Sequence, residues 1–233
     1  MSGIPVTLPL LVLHGREEGP TAWISAAVHG DELCGVEIIR RVLDTLDPQT
    51  MSGTVLAVPV VNVHGFNTGD RYLPDRRDLN RSFPGSPRGS LAARIAHLLM
   101  TEVVGRATVG IDLHTGSDHR TNLPQIRADL DDPATLELAR TFAPPIAIHS
   151  KVRDGSLRQA GSEVGATVLL YEGGEALRFD PHTIEVGRAG TLRVLSRLGI
   201  TPDSGLDPGP MLLSRSSRWV RAARSGILHY EVE

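Results

Sequence analysis

The chain has 233 residues, 40 % apolar and 22 % charged, with a net charge of −3 and a pI near 6.3. That balance suits a single globular unit and lacks the basic footprint of a nucleic-acid binder. Nine aromatics (two Trp, three Tyr, four Phe) are too few for base-stacking shelves, and the lone Cys34 excludes an intrachain disulfide and a cysteine-built zinc site.

Taken in order, residues 4–14 read as an extended strand interrupted by Pro9, hence an edge, followed by a turn over 16–20. Residues 22–28 predict a strand buried on both faces. A helix over 32–46 carries Leu33, Val36, Ile39, Val42, Leu43 and Leu46 at helical spacing. Residues 55–63 predict a second buried strand. The polar segment 65–89 is long for a connection in a compact domain, which marks it as functional or mobile.

Ser90 is placed to cap a helix running to about 104, and 108–113 predict a strand ending at His114. A polar loop is expected over 116–130, then a helix over 132–142 with Pro133 at its first position. A short strand (146–150), a helix (157–164), a buried strand (166–171) ending at Glu172 and a helix (181–198) follow. After residue 200 the composition turns linker-like, and 218–233 carry a hairpin signature around Ser225-Gly226. The expected organisation is a catalytic domain over 1–205, with 206–233 a linker and the start of a β region. Alternating strands and helices imply an α/β fold: a mixed, mostly parallel sheet flanked by helices, with a short C-terminal β appendage. The opening residues lack a charged-then-apolar leader and no run reaches 18 apolar residues, so a cytoplasmic chain without a membrane span is expected.

Three predicted strands end in groups able to do chemistry: His29 with Glu32, His114, and Glu172. Ligands bind outside the carboxyl ends of strands in open α/β sheets, so topology itself predicts that they converge. Two imidazoles and a carboxylate are the open three-ligand set of catalytic zinc, with water in the fourth position as the nucleophile. Glu172 is then placed to take that water's proton and pass it to a leaving amine. His64 also follows a strand and competes as a ligand. Glu175 competes with Glu172, and Asp112, two residues before His114, is either an outer-shell partner or a structural acceptor.

HGDE at 29–32, GDRYLPDRRDLNRSFPG at 69–85, DLHTG at 112–116 and LLYEGG at 169–174 resemble the succinylglutamate desuccinylase/aspartoacylase family of the zinc carboxypeptidase superfamily. The resemblance implies a carboxypeptidase-like fold and one zinc ion per chain on His29, Glu32 and His114, with Glu172 as general base. It implies that Arg71 polarises the scissile carbonyl, that Asn80 and Arg81 hold a substrate carboxylate, and that Asp78 accepts from a ligating imidazole. In the loop after His114, Arg127, His119 and Asn122 either contact the acyl group or are mobile surface residues; Arg127 is taken as the substrate-binding candidate. Without the resemblance, the 65–89 loop reads as solvated charge.

The implied activity is hydrolysis of the amide of an N-acyl amino acid or a related small acylated amine. A peptidase removing C-terminal residues and a non-catalytic metal-binding module are the alternatives. Members generally exceed 300 residues and carry a β-rich C-terminal domain, of which residues 218–233 look like the first strands only. The acyl pocket is therefore expected to be open or completed by a neighbouring subunit of a homo-oligomer. No nucleic-acid or membrane partner is expected.

Overall fold

The computed structural model describes residues 6–117, 119–218 and 220–227. Among these residues, eight strands form one sheet in the order β1-β3-β2-β4-β7-β5-β6-β8. They are β1 (Leu11–His14), β2 (Glu17–Ala26), β3 (Ser52–Val58), β4 (Val109–Gly116), β5 (Asn122–Ala128), β6 (Ile146–His149), β7 (Thr167–Glu175) and β8 (Leu212–Ser214). Only β1–β3 and β5–β7 pair antiparallel. The other neighbours run parallel, so the sheet is mixed and mostly parallel.

Strand alternation sends side chains of β2 to opposite faces. Ala22, Ile24 and Ala26 join the layer formed by α1 (Cys34–Leu43), α4 (Pro133–Phe142) and α6 (Pro181–Arg197). Trp23 joins the layer formed by α3 (Leu91–Glu102) and α5 (Leu157–Glu163). The two apolar layers hold the sheet between them, and its carboxyl edge is left for polar groups. Among the described residues no helix is long and apolar enough to cross a membrane.

Several expected boundaries move, each for a local reason. Pro9 precedes β1, which is an edge strand as expected but begins only at Leu11. β2 starts inside the expected 16–20 turn and stops at Ala26, because Ala27 turns into the left-handed region (φ 49°) and leaves the ladder. Glu32 therefore lies in the turn before α1 rather than on it. β3 ends at Val58, before Pro59, and the expected strand over 55–63 gives way to the short helix α2 (Val63–Thr68). Asn62 caps α2 by accepting from the Gly65 N–H (2.9 Å), and Gly69 closes it with φ 69°.

The expected loop over 116–130 contains β5, in which Pro124, Ile126 and Ala128 are buried and alternate with more exposed neighbours. The stretch after 205 supplies β8, which pairs parallel with β6. Of the hairpin expected over 218–233, residues 219 and 228–233 lie outside the described residues, and the described part, which includes Ser225-Gly226, carries no strand.

Candidate metal centre

The connection from β2 to α1 delivers His29 and Glu32 to the carboxyl edge of the sheet. It crosses the start of α2 so closely that a Cβ on Gly30 would lie 2.0 Å from the Gly65 carbonyl carbon. Only glycine fits there without displacing backbone. Gly30→Ala is expected to destabilise the protein by about 1–3 kcal/mol or more, measured by denaturant unfolding.

β4 carries His114, whose Cα is in register with Glu172 on the adjacent β7. The two imidazole rings sit 5.1 Å apart, tilted by 60°. Glu32, 1 % exposed, lies between them. Its Oε1 is 2.8 Å from His29 Nδ1 and its Oε2 is 2.8 Å from His114 Nδ1. Arg71 donates to Oε1 (3.1 Å) and the Thr115 N–H donates to Oε2 (3.2 Å).

The far nitrogens are held as well. His29 Nε2 lies 3.1 Å from Asp78 Oδ1, and His114 Nε2 lies 2.8 Å from Asp112 Oδ2. Ser25, fully buried on β2, donates from its hydroxyl to Asp112 Oδ1 (2.8 Å). Asp78 also caps the 3₁₀ turn Leu79–Arg81 by accepting from the Asn80 N–H, so the loop and the imidazole share one carboxylate.

Burial would push Glu32 up, yet the His29 and His114 imidazoles hold it far below the usual carboxylate range. Burial would lower both imidazoles, but the surrounding acids raise them: Glu32 and Asp78 for His29, Asp112 and Glu32 for His114. Asp78 is pulled down to about 2, against its burial, by the His29 bond and then by Arg71.

The donor set fits a divalent cation. Ligand atoms of His29, Glu32 and His114 lie within 4.8 Å of one another, and all three residues are buried. With a cation between them, each imidazole would donate Nε2–H to its carboxylate partner and turn the Nδ1 lone pair, which faces Glu32 here, to the metal. Two imidazole nitrogens and a carboxylate oxygen are a borderline-soft set, with room for further ligands.

Glu172 stands beside this centre. Asn122 donates to its Oε2 (2.5 Å), and Arg127 Nη1 is 3.7 Å from its Oε1. Burial raises its pKa; His114 works against the rise and Glu32 adds to it. Arg71 lies at the rim, with Nη2 3.7 Å from Asp78 and its guanidinium 5.9 Å from the Tyr72 ring centroid. Asn80 is buried, and its Oδ1 accepts from the Leu157 N–H (2.9 Å), so only its amide nitrogen remains for a ligand. Arg81 is exposed and bonds to the Asn80 carbonyl, close enough for its charge to act on Asp78.

His64 sits on α2 and is absent from the three-residue group. Glu175 faces His119 (3.8 Å) and Arg178 (3.6 Å) at the surface. Ser25 escaped the sequence reading; its signal is one hydroxyl inside an apolar strand, where it must find a buried acceptor. A second group, Asp129, Asp131 and His149, is mostly exposed and tied up internally. His149 Nδ1 accepts from the Leu130 N–H (3.2 Å), and Arg215 holds Asp131.

Residues 18–198 match the model of the succinylglutamate desuccinylase/aspartoacylase catalytic domain. The chain belongs to this family. It is 35 % identical over 149 residues to the N-alpha-acetyl-L-2,4-diaminobutyric acid deacetylase of Halomonas elongata, covering 61 % of this chain and 43 % of that relative. It is 32 % identical over 134 residues to a succinylglutamate desuccinylase of Burkholderia cenocepacia, covering 52 % and 35 %. The match thus spans less than half the length of either relative. Among solved structures, the product-bound ectoine utilization protein EutE (DoeB) of Ruegeria pomeroyi superposes with a TM-score of 0.84 at 25 % identity. A succinylglutamate desuccinylase/aspartoacylase of Rhodobacter sphaeroides gives 0.80 at 28 %. Each superposition covers 91 % of this chain and 67 % of the other.

Proposed function

We propose that this family member is a zinc-dependent amidohydrolase that removes the acyl group from an N-acyl amino acid or a related small acylated amine. The observation that carries the reading is the convergence of His29, Glu32 and His114 on one point, with Glu172 on the neighbouring strand. The relatives named above are deacylases by name, and a match to them favours deacylation over peptide cleavage.

His29, Glu32 and His114 would hold one zinc ion, which supplies Lewis acidity to polarise a carbonyl and acidify water. Glu172 accepts the proton of the attacking water and returns it to the departing nitrogen. Arg71 offers guanidinium N–H groups where negative charge develops on the carbonyl oxygen. Asn80, through its amide nitrogen, and Arg81 orient a carboxylate on the substrate. Arg127 adds positive charge on the far side of Glu172. Asp78 and Asp112 fix the tautomers of the two imidazoles, and Ser25 fixes Asp112.

The direct test is a side-by-side assay of N-acyl amino acids and short peptides with zinc-loaded protein and with chelator-treated protein. Zinc-dependent release of the amino acid from the acylated substrates alone is expected. Cleavage of peptides alone would replace this reading with a carboxypeptidase, and zinc binding without hydrolysis would replace it with a metal-binding module.

The carboxylate behind His114 gives a separate expectation. Asp112→Asn should weaken zinc binding roughly 10–100-fold, and Ser25→Ala should produce a smaller loss in the same direction. Competition with a chromogenic chelator reads both.

A further inference from the structure

The 3₁₀ turn that presents Asn80 and Arg81 lies outside the sheet, and it is anchored from two sides. One anchor is Asp78, which accepts from the Asn80 N–H and also bonds His29, so it belongs to the metal centre. The other is the segment 155–157, which leads into α5. The Leu157 N–H donates to Asn80 Oδ1 (2.9 Å), and the Phe83 N–H donates to the Gly155 carbonyl (3.0 Å). Gly155, at φ 72°, passes so close to Arg81 that a Cβ would lie 2.6 Å from the Arg81 carbonyl oxygen. The second anchor therefore touches Asn80, Arg81 and Phe83 together.

Its contacts can be made in one sense only. A backbone N–H can only donate, so the Leu157 amide takes the oxygen of the Asn80 side chain and leaves the NH₂ group to meet a substrate carboxylate. Gln159 holds the segment in place. Its Oε1 accepts from the Gly155 N–H (2.8 Å), while its Nε2 donates to Glu163 Oε1 (2.8 Å), which fixes the end of the amide that faces Gly155. Ser156, which accepts from the Gln159 N–H (3.2 Å), and Gln159 make the S-x-x-Q pair of a capping box. In that motif the glutamine returns to the N–H of the cap itself. Here it reaches one residue further, to the glycine pressed against Arg81.

We propose that Gln159 and Gly155 are positioning residues for substrate recognition: the clasp they form sets where Asn80 and Arg81 stand relative to the metal centre. This rests on the reading above, in which those two side chains hold a substrate carboxylate. Gln159 and Gly155 act through the turn rather than on the substrate. What they control is the binding of one group remote from the reacting atoms, so their loss raises KM and leaves kcat little changed.

Two probes isolate that group: N-acetyl-L-alanine, which carries the carboxylate, and N-acetyl-L-alaninamide, which lacks its charge. Gln159→Ala should raise KM for the first about 10-fold, the scale of one charged hydrogen-bonded contact, and leave both constants for the second unchanged. Gln159→Glu keeps the acceptor for the Gly155 N–H and should restore the parent KM. Gly155→Ala, which drives a methyl group against Arg81, should act in the same direction as Gln159→Ala. If that variant fails to fold, the two substitutions at the half-buried Gln159 carry the test. Equal losses on both probes, a loss confined to kcat, or an unchanged KM for N-acetyl-L-alanine in Gln159→Ala overturns the proposal. If the parent hydrolyses neither probe, or does not distinguish them, the reading of Asn80 and Arg81 fails separately. Amide hydrogen exchange over residues 79–83 then decides. Faster exchange in Gln159→Ala, reversed in Gln159→Glu and with zinc affinity unmoved, supports the clasp, and unchanged exchange overturns it.

Discussion

Glu172→Gln is expected to bind zinc as the parent does and to lose about 10²–10⁴-fold in turnover, the usual contribution of a positioned general base. The amide keeps the size of the side chain and its bond to Asn122 but cannot take a proton. Glu172 is not one of the three converging donors, so zinc affinity should not move. The pH profile gives an independent check. The base works as a carboxylate, so activity is present above its pKa and lost as pH falls through it. Burial raises that pKa above the ordinary glutamate value, so the acid limb of kcat/KM should lie higher than an exposed glutamate would place it. The residual activity of Glu172→Gln should lack that limb. A variant that hydrolyses N-acyl amino acids at the parent rate would remove Glu172 from the mechanism.

The parts of this site legible in the sequence are those where chemistry and topology coincide. His29, His114 and Glu172 each close a run of apolar residues, and parallel strands deliver their ends to one edge, so convergence follows from the order of elements. Ser90 and Pro133 announced their helices through start signals that act within one turn. What escaped was set by tertiary contact. β5 reads as a polar loop because of Asn122, Gln125 and Arg127, and only its pairing with β6 and β7 makes the segment a strand. α2 was hidden by an apolar run through Pro59, although Asn62 and Gly69 carried its cap signals.

His114→Gln is expected to cost more than about 100-fold in zinc affinity, beyond the range seen for outer-shell partners. Both ring nitrogens of His114 are committed, one to Asp112 and one to Glu32, and the residue is 3 % exposed. An alanine there would strand two buried carboxylates and could cost several kcal/mol for reasons unrelated to metal. Glutamine retains a donor for one of them and is the better probe. The measurement is the zinc-induced rise in Tm, each protein compared with its own metal-free form. At a free zinc concentration 100 times the parent Kd, binding to the folded state alone adds about 2.7 kcal/mol. For a chain of this length that corresponds to roughly 5–11 °C. The parent should show the rise, and His114→Gln should show almost none at the same concentration. Because each protein is its own reference, a lower starting Tm in the variant does not mimic the effect. Equal rises would mean that zinc binds somewhere other than between His29, Glu32 and His114, and the hydrolytic reading would lose its centre.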